Sequence, residues 1–107
     1  MRQRQPRKTD RGYLVWLRLQ RCACGCLKGP PCQAAHLRAS SAKHDKPNGG
    51  IGQKPDDCWA LPLTASCHSD QHNHGNELGW WLACGITDPF DLCQRYYAEY
   101  KRQRVMA

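Results

Sequence analysis

The chain has 107 residues, 40% of them hydrophobic, 8 cysteines and a net charge of +7 from 16 Lys and Arg against 9 Asp and Glu. This size and apolar content exclude a large multidomain protein and predict one small domain, whose thin core a bound metal would stabilise. No apolar run approaches the roughly 18 residues of a membrane span, and Arg18 interrupts the run that a signal peptide would need, so we expect a cytoplasmic protein without a membrane partner.

The N-terminal residues 1–11 are strongly basic and almost free of apolar side chains, which predicts a flexible arm. Its cations are Arg2, Arg4, Arg7, Lys8 and Arg11. A basic surplus of this kind attracts polyanions such as DNA, although the bland alternative is a solvated tail. We expect residues 12–107 to form a single domain, which begins with a helix from an Asp10 N-cap to about Leu19.

Glycines and prolines punctuate the next segment, which predicts a turn-rich knuckle. It contains Cys22, Cys24, Cys26 and Cys32. In a reducing cytosol such thiols favour metal ligation over disulfides, and four thiolates satisfy tetrahedral zinc. The tight Cys-x-Cys-x-Cys spacing is not that of a standard closed site, so structural zinc and inert thiols are equal alternatives. A disulfide-stapled extracellular protein is the less favoured third one.

The middle of the chain predicts a strand, a long loop, a second strand and a helix. The strands lie at 33–38 and about 59–63, and the polar, Gly-rich loop spans 39–57. A loop this long without structure is unusual in a compact domain unless it has a function. The helix covers about 65–74, between an N-cap at Thr64 and a glycine at its carboxyl end.

Two further helices complete the predicted α+β fold. Asn76 caps one that ends at Cys84, and Asp88 followed by Pro89 begins the last. Phe90, Cys93, Tyr97 and Tyr100 lie along one face of that helix, a pattern typical of core packing.

Three histidines are candidates for chemistry. His68 and His72 stand four residues apart on the predicted helix, so both rings project from one face and can chelate a divalent ion. Two solvated histidines are an equally good interpretation of that spacing. His36 lies in an apolar strand, where it would need a polar partner if buried, and a satisfied core histidine is the usual outcome.

Taken together, these segments resemble the HNH, or ββα-metal, endonucleases, and in particular small phage and prophage proteins. The resemblance rests on Ala-Ala-His-Leu-Arg at 34–38, Gly-x-Gly-x-Lys-Pro-Asp-Asp at 50–57 and Pro-Leu-Thr…His-x-x-x-His at 62–72. It continues to about residue 100, so it covers most of the chain. It implies a small ββα-metal centre with flanking helices and the hydrolysis of DNA phosphodiester bonds in a bacterial host cell.

The resemblance also implies a role for each residue of the centre. His36 would be the general base, Arg38 would bind the scissile phosphate, and His68 and His72 would hold Mg²⁺, Mn²⁺, Ni²⁺ or Zn²⁺. Asp57 would either orient His36 or join the metal ligands.

This sequence departs from the family pattern at two positions. Ala35 stands where many members have a metal ligand, and Thr64 replaces the first cysteine of a zinc-binding pair that ends at Cys67. The departure at Ala35 sustains an alternative, a non-catalytic nucleic-acid-binding protein with a degenerate HNH fold.

Overall fold

A computed structural model describes residues 8–46 and 55–106, the last without its side chain. The described segments form four helices and two strands: α1 (Arg11–Arg18), β1 (Gln33–His36), β2 (Ala60–Leu63), α2 (Ala65–His74), α3 (Glu77–Ala83) and α4 (Pro89–Met106). A short 3₁₀ turn at Asp57–Trp59 precedes β2. The predicted combination of helices with a small antiparallel sheet is therefore confirmed.

Side-chain caps explain where three of the helices begin. Asp10 accepts a hydrogen bond from the Tyr13 amide at 3.1 Å, and Asn76 accepts one from the Gly79 amide at 3.0 Å. The Thr64 hydroxyl oxygen accepts a hydrogen bond from the Cys67 amide at the start of α2. This bond satisfies one of the free N–H groups of the first turn. At the other end of α2, Gly75 adopts φ 78°, a left-handed conformation that ends the helix and favours glycine.

The sheet consists of β1 and β2 paired antiparallel, with Gln33 opposite Leu63 and His36 opposite Ala60. All four residues of β2 are buried. Only Thr64 separates β2 from α2, so the helix turns back beside the sheet. This connection brings the first turn of α2 next to the start of β1.

The core lies between the sheet and the three C-terminal helices. Its larger cluster includes Leu37, Leu61, Leu63, Trp81, Phe90 and Cys93. A second cluster joins α1 to α4 through Tyr13, Leu17 and Tyr100, and the Tyr13 hydroxyl donates to the Ala60 carbonyl at 2.9 Å. Burial of such large side chains contributes about 1.5–3 kcal/mol each, which is how a short chain holds its helices on a two-stranded sheet.

The amino-terminal segment differs from the predicted flexible arm. The Lys8 amide donates to Asp56 and the Asp10 amide to Asp57, each at 2.8 Å, and Arg11 begins α1. Residues 8–11 are thus part of the folded domain, because their backbone is paired with the segment before β2. Residues 1–7, including Arg2, Arg4 and Arg7, lie outside the described residues.

The predicted loop and first strand also need correction. Within 39–57, Ser41 and Lys46 form an antiparallel bridge that closes a turn, and residues 47–54 lie outside the described residues. β1 ends at His36, so Arg38 follows the strand instead of belonging to it. No helix in the described segments has both the length and the apolar character needed to cross a membrane.

Candidate active site and cysteine cluster

His36 occupies the end of β1 and is held by a buried carboxylate. Its Nε2 lies 2.9 Å from Oδ1 of Asp57, and the Asp57 side chain is 3% exposed against 18% for His36. Because a carboxylate only accepts hydrogen bonds, Nε2 donates its proton and Nδ1 carries the lone pair. The pair therefore holds the imidazole in one orientation and leaves Nδ1 as the ring nitrogen that Asp57 does not contact.

For Asp57, the sequence predicts two alternative roles: it orients His36 or it binds the metal ion. Its second oxygen, Oδ2, accepts the Asp10 amide at 2.8 Å, so both carboxylate oxygens are engaged. Among the described side chains, it does not form a metal-sized group with His68 and His72. Asp57 therefore lies where it can orient His36, and both of its oxygens already accept hydrogen bonds.

His68 and His72 lie one turn apart on α2 and meet at their outer nitrogens. The two Nε2 atoms are 3.2 Å apart, and Nδ1 of His68 lies 2.8 Å from Oε1 of Gln33. The pKa of His68 is lowered by its partial burial, then by the nearby rings of His72 and His36. A lowered pKa keeps this imidazole neutral near pH 7, the form that binds metal ions.

The separation of these two nitrogens fits a shared ion. A tetrahedral zinc ion with Zn–N bonds of about 2.0–2.1 Å requires neighbouring nitrogens about 3.3 Å apart. The observed 3.2 Å is close to this value. The pair supplies two donors, which leaves the remaining coordination positions of an ion there to water or substrate.

An open cleft of about 390 Å³ connects His36 with His72 of α2. Its lining is His36, Arg38, Ala39, Gln71, His72, Gly75 and Glu77. Arg38 is exposed at this cleft, where its guanidinium can reach an anionic ligand. The structure thus brings together the predicted base, the predicted phosphate ligand and the predicted metal-binding helix.

Glu77, at the start of α3, fixes the backbone that carries Arg38. Its carboxylate accepts the Arg38 amide at 3.0 and 3.1 Å and the Ala39 amide at 3.1 Å. These bonds tie the chain beyond β1 to α3 and hold one wall of the cleft.

Four cysteines form a second group, which the sequence predicted only in part. Cys22, Cys24, Cys26 and Cys67 place all their sulfurs within 4.8 Å of one another. The closest pairs are Cys22 with Cys24 at 3.4 Å, Cys24 with Cys67 at 3.6 Å and Cys26 with Cys67 at 3.8 Å. We call this group the cysteine cluster. It can hold a metal ion.

The spacing of the cysteine cluster matches a single tetrahedral ion. Zn–S bonds of about 2.3 Å require sulfurs about 3.8 Å apart. Burial raises the pKa of Cys22, but hydrogen bonds from the backbone of Cys24 and Thr64 outweigh it and lower that pKa to about 7. One ligand is thus close to its thiolate form at neutral pH, and metal binding would deprotonate the others.

The fourth cysteine of the predicted set is wrong. Cys32 is buried and lies outside the group. Its sulfur packs against Gly29 so closely that a Cβ atom at that position would lie 2.9 Å from Sγ. Cys67 takes its place from the first turn of α2. All eight cysteines lie in described segments and none is in a disulfide.

Several residues of the site carried no sequence signal. Gln33, Gln71 and Glu77 are ordinary polar residues, and only the fold brings them to the histidines. Cys67 did carry a signal, since it retains the second position of a Cys-x-x-Cys pair. Its partner comes from the knuckle near Cys24 instead of from Thr64.

No protein-family model, curated protein or solved structure matches this chain.

Proposed function

We propose that the chain is a metal-dependent endonuclease of the HNH type, of phage or prophage origin, that hydrolyses DNA phosphodiester bonds in the cytoplasm of a bacterial host. One observation carries the proposal: the Asp57-held His36 opens onto the same cleft as Arg38 and His72, whose ring meets that of His68 on α2. A base, an anion ligand and a metal-binding pair are the parts that phosphodiester hydrolysis needs. The strand, strand, helix order of β1, β2 and α2 is compatible with a ββα-metal centre.

The proposed role of His36 is to take the proton of the attacking water at Nδ1. Asp57 keeps the ring in the required tautomer through its bond to Nε2 and stabilises the imidazolium that results. The buried carboxylate is itself fixed by the Asp10 amide, so the base cannot rotate away from the cleft without breaking this bond network.

His68 and His72 would hold the divalent cation through their Nε2 atoms. When bound, the cation would supply positive charge to stabilise the phosphate oxygens and the leaving oxygen. Arg38, which also lines the cleft, would bind the same phosphate, because a guanidinium pairs well with two phosphate oxygens. These side chains would orient the scissile bond in front of His36.

Binding of DNA would depend on the basic residues of the amino-terminal segment. Lys8 is attached to Asp56 through its backbone amide, and Arg11 follows at the start of α1. Arg2, Arg4 and Arg7 precede them in the sequence. These cations would contact phosphates without reading base sequence.

The ion of the cysteine cluster would be a structural zinc. Four thiolates complete a tetrahedral shell, which leaves no open position for catalysis. The cluster joins the knuckle to α2, and its role would be to fix the helix that carries the histidines.

The shortage of donors at the histidine pair favours a second candidate, a non-catalytic nucleic-acid-binding protein. In the described segments, only the cysteine cluster gathers three or more potential ligands. An incomplete shell on α2 would bind an ion weakly or not at all, and the cleft would then serve only to hold a phosphate.

Plasmid cleavage with and without metal separates the two candidates. The enzyme should nick or linearise supercoiled plasmid in at least one of Mg²⁺, Mn²⁺, Ni²⁺ or Zn²⁺ and should be inactive in EDTA. Activity should return when an excess of the cation that supported cleavage is added back. Circular dichroism in EDTA controls for unfolding through the cysteine cluster.

A matched pair of variants assigns the activity to α2. His68→Ala should reduce cleavage, with partial rescue by excess Mn²⁺, whereas His74→Ala, on the same helix and outside the pair, should cleave like the parent. DNA binding without cleavage in every metal would support the non-catalytic alternative.

A further inference from the structure

We propose that Gln33 is a positioning residue that sets the tautomer of His68 for metal binding. This inference rests on the proposed function of the histidine pair. It follows from one contact, the 2.8 Å distance between Oε1 of Gln33 and Nδ1 of His68. An amide oxygen only accepts, so Nδ1 of His68 must carry the proton and Nε2 the lone pair.

The direction of that lone pair gives the contact its importance. Nε2 of His68 points at Nε2 of His72, 3.2 Å away, which is where a shared ion would have to bind. If Nδ1 lost its acceptor, the ring could adopt the opposite tautomer or rotate about its side-chain bonds. Either change would remove the lone pair from the position that an ion needs.

The sheet register explains why Gln33 can hold this position. Gln33 is the first residue of β1 and pairs with Leu63, the last residue of β2. Thr64 alone then leads into α2, so His68 lies in the first turn and a half of a helix that starts beside Gln33. The acceptor comes from a sheet residue and the ligand from a helix, and the tight connection holds them together.

The Gln33 side chain is exposed, so burial in the core does not explain its orientation toward His68. Outer-shell partners of metal-binding histidines are typically backbone carbonyls, carboxylates or water, and a side-chain amide oxygen offers the same acceptor. The Glu side chain is the closest substitute, because it keeps the acceptor at the same reach.

The first test uses the protein before any divalent ion is added to α2. Long-range ¹⁵N–¹H NMR spectra of histidine rings distinguish the Nδ1-protonated from the Nε2-protonated form. His68 of the parent should be Nδ1-protonated, and Gln33→Leu should shift it toward the Nε2-protonated form common in solution. A parent His68 already protonated at Nε2 would overturn the inference.

The second test measures Mn²⁺ affinity with the zinc-loaded protein, by following free Mn²⁺ in its electron paramagnetic resonance spectrum. Gln33→Leu should weaken binding about 10–100-fold, the usual cost of losing an outer partner. Gln33→Glu should bind within about threefold of the parent by the same reasoning. Gln94→Leu, an exposed change on α4, is the control for an added leucine.

The outcomes separate this inference from the function on which it rests. If His68→Ala loses Mn²⁺ binding while Gln33→Leu keeps parental affinity, Gln33 has no positioning role and the metal site stands. If the parent itself binds neither Mn²⁺ nor, in the same titration, Mg²⁺, Ni²⁺ or Zn²⁺ at α2, the proposed catalytic ion and the role of Gln33 both fail.

Discussion

The cysteine cluster and the histidine pair differ in how completely the protein surrounds an ion. The cysteine cluster offers four donors from two distant segments, all within 4.8 Å of one another. The histidine pair offers two donors from one helix, with a cleft beside them. Structural metal sites are closed and catalytic ones keep open positions, so the contrast is the one expected of a fold-stabilising ion and a reactive one.

We expect the largest effect from a substitution in the cysteine cluster. Cys67→Ser removes one of the four sulfurs that would hold the proposed zinc ion. Structural zinc contributes apparent binding energies of about 10–16 kcal/mol, comparable to the whole stability of a small domain. We expect loss of the cooperative melting transition in calorimetry and loss of metal by elemental analysis.

Cys58→Ser provides the control for this substitution, because Cys58 is also half-buried but lies outside the cysteine cluster. It should retain stoichiometric zinc. Metal-free parent protein with an unchanged melting transition would show that the cluster is four inert thiols.

The next substitution, His36→Ala, tests the cleft beside the histidine pair. Loss of the base should slow plasmid cleavage by about 10²–10⁴-fold. The affinities for Mn²⁺ and DNA should stay unchanged, since the α2 histidines and the basic residues remain. Excess metal should not restore activity, unlike the result expected for His68→Ala. Equal cleavage by the His36 variant and the parent would refute the HNH assignment. A second variant, His36→Gln, keeps the approximate size and polarity of the side chain and controls for loss of folding.

A smaller effect is expected from deletion of residues 1–7. Removal of Arg2, Arg4 and Arg7 leaves the Lys8 and Asp10 contacts in place. Each lost phosphate contact lowers the log–log salt slope by about 0.9, so three would lower it by about 2.7. Between about 50 and 200 mM salt, the parent should thus lose about 40-fold more DNA affinity than the shortened chain. An unchanged slope would mean that these arginines do not touch DNA.

The smallest expected effect concerns the support behind His36. The Tyr97 hydroxyl donates to Asp10 at 2.7 Å, and the Asp10 amide holds Asp57. Tyr97→Phe should lower the free energy of unfolding by about 1 kcal/mol. The hydrogen bond to Asp10, then burial, raise the pKa of Tyr97 to about 12.

The raised pKa gives this prediction a pH signature. Since the folded state favours the protonated phenol, the extra stability is complete below the ordinary tyrosine pKa of about 10. It is lost as the pH rises toward 12. Urea titrations of the parent and Tyr97→Phe at several pH values should converge there.

The local features of this fold were predictable from the sequence, and the long-range ones were not. Asp10, Thr64 and Asn76 act on residues three positions away, and His68 meets His72 through helical spacing alone. The Asp57–His36 contact spans 21 residues, so the sequence left two roles open for Asp57.

The fourth cysteine shows the same limit. Cys32 was the nearest candidate along the chain, but its sulfur lies beside Gly29 and outside the cysteine cluster. Cys67 reaches Cys24 across 43 residues because the sheet brings α2 beside the knuckle. Spacing rules contain no information on that approach.

Cys67 and His68 are consecutive residues of α2, so the two sites share one peptide bond. Neighbouring residues on a helix point about 100° apart, which is why one faces the cysteine cluster and the other faces Gln33. A single-codon insertion between them would rotate one site away from its partners while the other stayed in place. The relative orientation of the two sites therefore depends on the number of residues in this turn, and a change in its length would disrupt one of them.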